Sequence, residues 1–150
     1  QVSPLHPDAS RHDMEFGELS ERTGFSRKEL QGFCKIGLVA THRSKGKKVF
    51  GAAEVAVADA MAGLRDAGFN EQVGFTPVTA LMYVEAMRGL LHQEIATFLE
   101  TAAGLDQPGD LLSLAEVGIE RVTPLILALR RKLMREMLKV YELPEETDDK

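Results

Sequence analysis

Two opposite helix-punctuation signals stand almost back to back near the start of this chain, and they restrict its fold more than any other feature. Phe16 to Arg22 reads as a short helix closed by Thr23-Gly24, since glycine suits the left-handed backbone that follows a helix end. Ser26 stands three residues before Glu29, the spacing of a capping box. It opens a second helix running to Ile36, with Leu30, Phe33 and Ile36 on one face before Gly37 stops it. Two short helices separated by so little chain must turn sharply, which is the helix-turn-helix pattern.

The segments that follow extend this start into a small head. From Val39 to Phe50, β-prone residues flank Ser44-Lys45-Gly46-Lys47, which predicts a hairpin with a basic, glycine-bearing tip. Ala52 to Ala67 carries Val55, Ala58, Met61, Ala62 and Leu64 at helical spacing and ends at Gly68-Phe69, predicting a third helix. Thr76-Pro77 then starts a long helix, threonine at the cap and proline at the first helical position. Its apolar residues, Leu81, Val84, Met87, Leu90, Leu91, Ile95, Phe98 and Leu99, carry it to about Ala103, with a bend expected near Gly89. Gly104 to Gly109 reads as a loop and Asp110 as the cap of a further helix. Thr123-Pro124 inside that helix predicts either a kink or a new start. The last stretch, Leu125 to Leu143, has two apolar rows: Ile126, Leu129, Leu133, Met137 and Val140, and Leu127, Met134, Leu138 and Tyr141. Two rows exceed what one contact surface requires.

Charge is distributed as unevenly as the apolar residues. The chain totals −5, which on its own argues against an anion-binding protein. Between Arg22 and Lys48, however, eight basic residues stand against one acid, Glu29, a local net charge of +7. Positive charge gathered into one segment of an otherwise acidic chain marks a localised anion-binding face.

These segments resemble, in order and with fitting gaps, the DNA-binding head of the MerR family of bacterial transcription regulators. Phe16-Gly17-Glu18-Leu19 is similar to that family's opening Ile-Gly-Glu-Leu, Thr23-Gly24 to its following turn, and Ile36-Gly37-Leu38 to the end of its recognition helix. Gly46-Lys47-Lys48-Val49-Phe50 stands where the family has a wing of the type Gly-Tyr-Arg-x-Tyr, and Leu64-Arg65-Asp66-Ala67-Gly68-Phe69 resembles its Leu-Arg-x-Leu-Gly-Phe. The similarity covers about 55 of 150 residues. Two departures qualify it. Gln31, Gly32, Phe33 and Cys34 occupy the place of an arginine and paired aromatics, and glycine inside a helix costs about 1 kcal/mol relative to alanine while offering DNA no side chain. The family's wing arginine is matched only by Lys48, a point charge without arginine's bidentate fork.

The resemblance implies a DNA-binding transcription regulator that docks as a homodimer on pseudo-palindromic double-stranded DNA. Its recognition helix would lie in the major groove and its wing on the flanking backbone. On that reading Lys28, Arg43, Lys45, Lys47 and Lys48 are phosphate contacts, while Arg27, Lys28 and Gln31, early in the recognition helix, are the candidates for base edges. The body carries none of the cysteine ligands of the family's metal sensors, so an effector would be an unidentified small molecule or a protein partner. The alternative is a protein-interaction or ligand-sensing module whose head has lost sequence-specific readout.

Other residues point to structure before chemistry. Cys34 is expected to be a small packing residue, and a lone cysteine fits a reducing, cytoplasmic setting. His6, His12, His42 and His92 have no ligand spacing, and His92 is expected at the edge of a core. Phe75, Met82, Tyr83, Met87 and Phe98 could line an apolar pocket, but core packing is the stronger expectation. With no phosphate-binding glycine loop, no nucleophile motif and no paired histidines, neither an enzyme nor a bound metal or cofactor is expected. Gln1 to Asp13 carry two prolines, two histidines and no apolar run long enough for a signal peptide or a membrane span.

The expected fold class is therefore all-α with a small β wing. A flexible arm at 1–13 precedes a winged helix-turn-helix head at 14–70. A helical dimerisation and effector body follows at 73–143, and then a disordered acidic tail at 144–150.

Overall fold

The computed structural model describes residues 13–104 and 109–141, with side chains omitted at 102 and 109–112. The acidic tail, the arm before Asp13 and most of the expected Gly104–Gly109 loop lie outside the described residues. The chain divides into two compact units, Gln1–Glu100 and Thr101–Lys150. It is mostly helical with one small antiparallel sheet, as the fold class anticipates.

The first unit begins with helices α1 (Phe16–Thr23) and α2 (Arg27–Lys35). Gly24 ends α1 with φ +80°, and its N–H donates to the Ser20 carbonyl at 2.8 Å. The turn is held by side chains as well. Buried Thr23 donates its hydroxyl to the Leu19 carbonyl at 2.7 Å and accepts from the Phe25 N–H at 3.2 Å, while Ser20 Oγ donates to the Phe25 carbonyl at 2.6 Å. Helix α2 opens on a complete capping box, Ser26 Oγ accepting from Glu29 N–H and Glu29 Oε2 accepting from Ser26 N–H, both at 3.1 Å. Two otherwise orphaned amides are thus satisfied within one turn.

Strands β1 (His42–Ser44) and β2 (Lys47–Val49) pair antiparallel, with His42 opposite Val49, Arg43 opposite Lys48 and Ser44 opposite Lys47. The two-residue loop between them, Lys45-Gly46, has φ +52° and +76°. Positive φ at both central residues is the pattern of a type I′ turn, whose twist matches that of the paired strands. At the other end, Val49 and Phe50 are buried, and Phe50 exchanges backbone hydrogen bonds with Met14 at 2.7 and 3.0 Å. The hairpin is therefore anchored at its base and free at its tip.

Helix α3 (Ala52–Asp66) closes the core with Val55, Ala58 and Ala62. They pack with Leu19, Phe25, Leu30, Phe33, Val39 and Phe50, and Phe16–Phe50 and Phe25–Phe33 meet edge to face at 4.8 and 4.9 Å. Ile36, expected on the apolar face of α2, is its half-buried C-cap residue. Two arginines of this unit serve the fold. Arg22 forms a bidentate pair with Asp59, with nitrogen–oxygen distances of 2.8 to 3.1 Å, joining α1 to α3. Arg65 donates to the Thr23 carbonyl at 2.6 Å and lies 4.5 Å over the Phe25 ring. A Cβ at Gly24 would meet that guanidinium at 3.4 Å, so the turn and Arg65 are fitted to each other.

A short 3-10 turn at Glu71–Val73 leads into α4 (Pro77–Ala102). Thr76 caps it as expected, its hydroxyl accepting from the Thr79 N–H at 3.3 Å. The core-packing expectation for this helix does not hold: Met82, Tyr83 and Met87 are 55%, 43% and 44% exposed, and His92 is exposed as well. Helical periodicity identifies an apolar stripe, whereas burial needs a surface to set against it. Among the described residues of α4, Ala80 is the buried apolar one.

The second unit is built on α5 (Gly109–Leu138), followed by a 3-10 turn at Lys139–Tyr141. Pro124 lies inside this helix, which runs through it, so Thr123-Pro124 does not open a new element. The α-helical geometry ends at Leu138, short of the expected Leu143. Leu125, Leu127, Leu129, Leu133, Met134, Met137 and Leu138 are all exposed. No helix among the described residues is long and apolar enough to cross a membrane.

Candidate nucleic-acid interface

The first two turns of α2 and the hairpin supply the seven side chains that the sequence singles out, and all seven are exposed. Arg27 and Lys28 are the first two residues of α2, in line with the Ser26 cap, and Gln31 follows one turn later on the same side. Gly32 has open space around it, so nothing from the core forces a glycine there.

On the hairpin, Arg43 and Lys48 stand directly opposite each other across the strands. Like charges so placed destabilise a strand pair, and both are exposed, with no acidic partner among the described residues. Lys45 occupies the tip with its left-handed backbone, and the Arg43 guanidinium reaches the Gly46 carbonyl at 3.4 Å. Among the described residues, Lys47 alone of the seven has an acidic partner, Glu15 Oε1 at 3.1 Å.

The fold brings part of this set together. Arg27, Lys47 and Lys48 line one surface depression of about 320 Å³ with Glu15, Phe16 and Gly17. The Arg27 guanidinium lies 5.0 Å over the Phe16 ring, a cation–π contact that directs it toward this depression. Lys28, Gln31, Arg43 and Lys45 do not line it. Arg22, one of the eight cations in the basic segment, is turned away to Asp59. That pairing has an electrostatic signature: the hydrogen-bonded guanidinium holds the Asp59 carboxyl below the usual carboxylate range, and the carboxylate holds Arg22 up.

Cys34, half-buried on α2, packs against the core as expected of a small apolar residue. Burial pushes its thiol up, Glu54 adds to the effect, and Lys48 opposes it. A thiol raised in this way is a poor nucleophile. No group of three histidine, cysteine or carboxylate side chains among the described residues could hold a metal ion.

Two features lay outside what the sequence offered. Glu15 enters the basic face from 32 positions before Lys47, and no spacing rule links them. An apolar depression of about 330 Å³ is lined by Phe25, Phe33, Met61, Phe69 and Phe75, with Glu29, Arg65 and Glu71 among its polar walls. Of Phe75, Met82, Tyr83, Met87 and Phe98, for which a pocket is the lesser alternative to core packing, Phe75 lines this depression. No family model, no curated protein and no solved structure matches this chain.

Proposed function

We propose that this chain is a DNA-binding transcription regulator of the MerR type, docking as a dimer on pseudo-palindromic duplex DNA. On this reading α1 and α2 form a helix-turn-helix, with α2 entering the major groove and the β1–β2 hairpin acting as a wing on the flanking backbone. The observation that carries the reading is the convergence of Arg27, Lys47 and Lys48 on one depression, beside exposed Arg43 and Lys45 with no acidic partner among the described residues. Exposed cations gathered on one face of an acidic chain are suited to phosphates, even with Glu15 among them. Arg27, Lys28 and Gln31 would meet base edges, and the hairpin cations would position the head. Because Gly32 offers no side chain, most of the affinity is electrostatic. The exposed apolar rows of α5 supply the dimer contact, and regulation acts through the spacing of the two heads.

The phenylalanine-lined depression favours a second reading, a ligand-sensing module with a structural head. Salt dependence separates the two. Binding of a labelled duplex, followed by anisotropy, should weaken steeply as salt rises. Replacing Lys45, Lys47 and Lys48 together by alanine should weaken binding to every sequence and flatten the slope of log affinity against log salt by roughly 2 to 3. Unchanged affinity and slope would remove the hairpin from the DNA.

A further inference from the structure

The carboxylate of Glu15 is the one acidic group within ion-pair distance of the basic face among the described residues. It stands at the N-cap of α1, yet its side chain makes no capping hydrogen bond there. It reaches instead to Lys47, 3.1 Å away, across the depression that Arg27 and Lys48 also line. Glu15 and Lys47 are 46% and 70% exposed in their side chains, so water and salt screen the pair and it is readily exchanged. A carboxylate oxygen and a phosphate oxygen offer a lysine the same kind of charged acceptor.

We infer that Glu15 is a built-in competitor for phosphate: it occupies Lys47 in the free protein and is displaced when a backbone phosphate enters the depression. The inference rests on the DNA-binding reading and adds a regulatory residue to it. Its physical consequence is a discount on sequence-independent affinity. Each phosphate docked beside Lys47 must break the pair with Glu15, whereas a phosphate at Lys48 breaks no ion pair. The discount falls on every sequence alike, so it lowers overall affinity and leaves the preference among sequences unchanged, since specificity is a difference of affinities. Glu15 works by repulsion and occupancy and contacts no base.

The test measures binding of a random-sequence duplex by anisotropy at salt from about 50 to 200 mM, a range over which phosphate contacts dominate the change in affinity. Glu15→Gln should bind roughly threefold to tenfold more tightly at the lowest salt, with a slope steeper by about one counterion. Lys47→Gln in that background should erase the gain. In the parent it should cost several-fold less than Lys48→Gln. Equal affinity and slope for Glu15→Gln and parent overturn the inference while leaving DNA binding intact, provided the parent itself shows a steep salt slope. A gain that survives Lys47→Gln also overturns it, because Glu15 would then act as general charge and not through Lys47. If Glu15→Gln melts at lower temperature than the parent, the comparison of Lys47→Gln with Lys48→Gln decides, and equal losses count against the pair. A parent without salt-sensitive binding defeats the function and this inference together.

Discussion

The segment from Met14 to Asp66 and the helices beyond it use apolar residues in opposite ways. In the first, Leu19, Leu30 and Phe50 are completely enclosed by three short helices and the base of a hairpin. Along α4 and α5, large side chains at helical spacing stay open to solvent, from Val78 at 63% to Met137 at 65%. The difference lies in helix length. Helices α1, α2 and α3 are short and pack on one another and on the hairpin base, so each apolar face meets another from the same segment. Helices of 26 and 30 residues place their stripes on long cylinders that no neighbouring turn can cover. A short-range core is complete in itself, whereas a long apolar stripe is complete only against another surface.

The sharpest way to break this contrast is to truncate one side chain from each region. Phe50→Ala should destabilise the chain by about 3 to 5 kcal/mol, because it empties a fully enclosed site. Leu133→Ala should stay within about 0.5 kcal/mol in dilute solution. Urea denaturation followed by circular dichroism measures both, and comparable losses would mean that α5 is covered as thoroughly as the head.

Association sharpens the contrast further. The chain should sediment as a dimer at micromolar concentration, and replacing Leu129, Leu133 and Met137 together by lysine should yield a monomer with unchanged helix content. A parent that sediments only as monomer would leave the exposed rows of α5 without a function in assembly.

The smallest effect lies on the surface of the head. A carboxylate held below its ordinary range favours the folded state while it is ionised. The contribution of Asp59 is therefore complete above about pH 4, the ordinary carboxylate range, and is lost as pH falls through its depressed folded value. Asp59→Asn should flatten the acid limb of a melting-temperature profile slightly and leave neutral behaviour nearly unchanged, since both partners are exposed. A parent and variant with identical acid limbs would show that the pair adds nothing measurable.

What could be read beforehand was local. Thr23-Gly24, Ser26 with Glu29, Lys45-Gly46 and Thr76-Pro77 each act through backbone geometry within a few residues, and each marks a boundary found in the fold. The contacts that assemble the head were hidden for the complementary reason. Arg22 meets Asp59 across 37 positions and Arg65 meets Thr23 across 42, distances at which no periodicity operates. As a result the basic segment looked more uniform than it is: Arg22 belongs to the fold, Lys47 is shared with Glu15, and Arg27 lies over Phe16, which packs on Phe50 at the hairpin base. The buried or open state of Met82, Tyr83 and Met87 was equally out of reach, because it depends on what lies opposite the helix.

Lys45 carries one last consequence. An L-residue in the left-handed region is less comfortable by roughly 1 to 2 kcal/mol, and asparagine or glycine would accept that position more easily. The hairpin tip therefore sets two demands against each other: conformational ease favours a small residue, and a positive charge at the farthest point of the loop requires a long one. Any selection for heat resistance alone would be drawn to Lys45→Asn. Such a variant would be the sturdier molecule and would present a blunter, less positive tip to whatever approaches it.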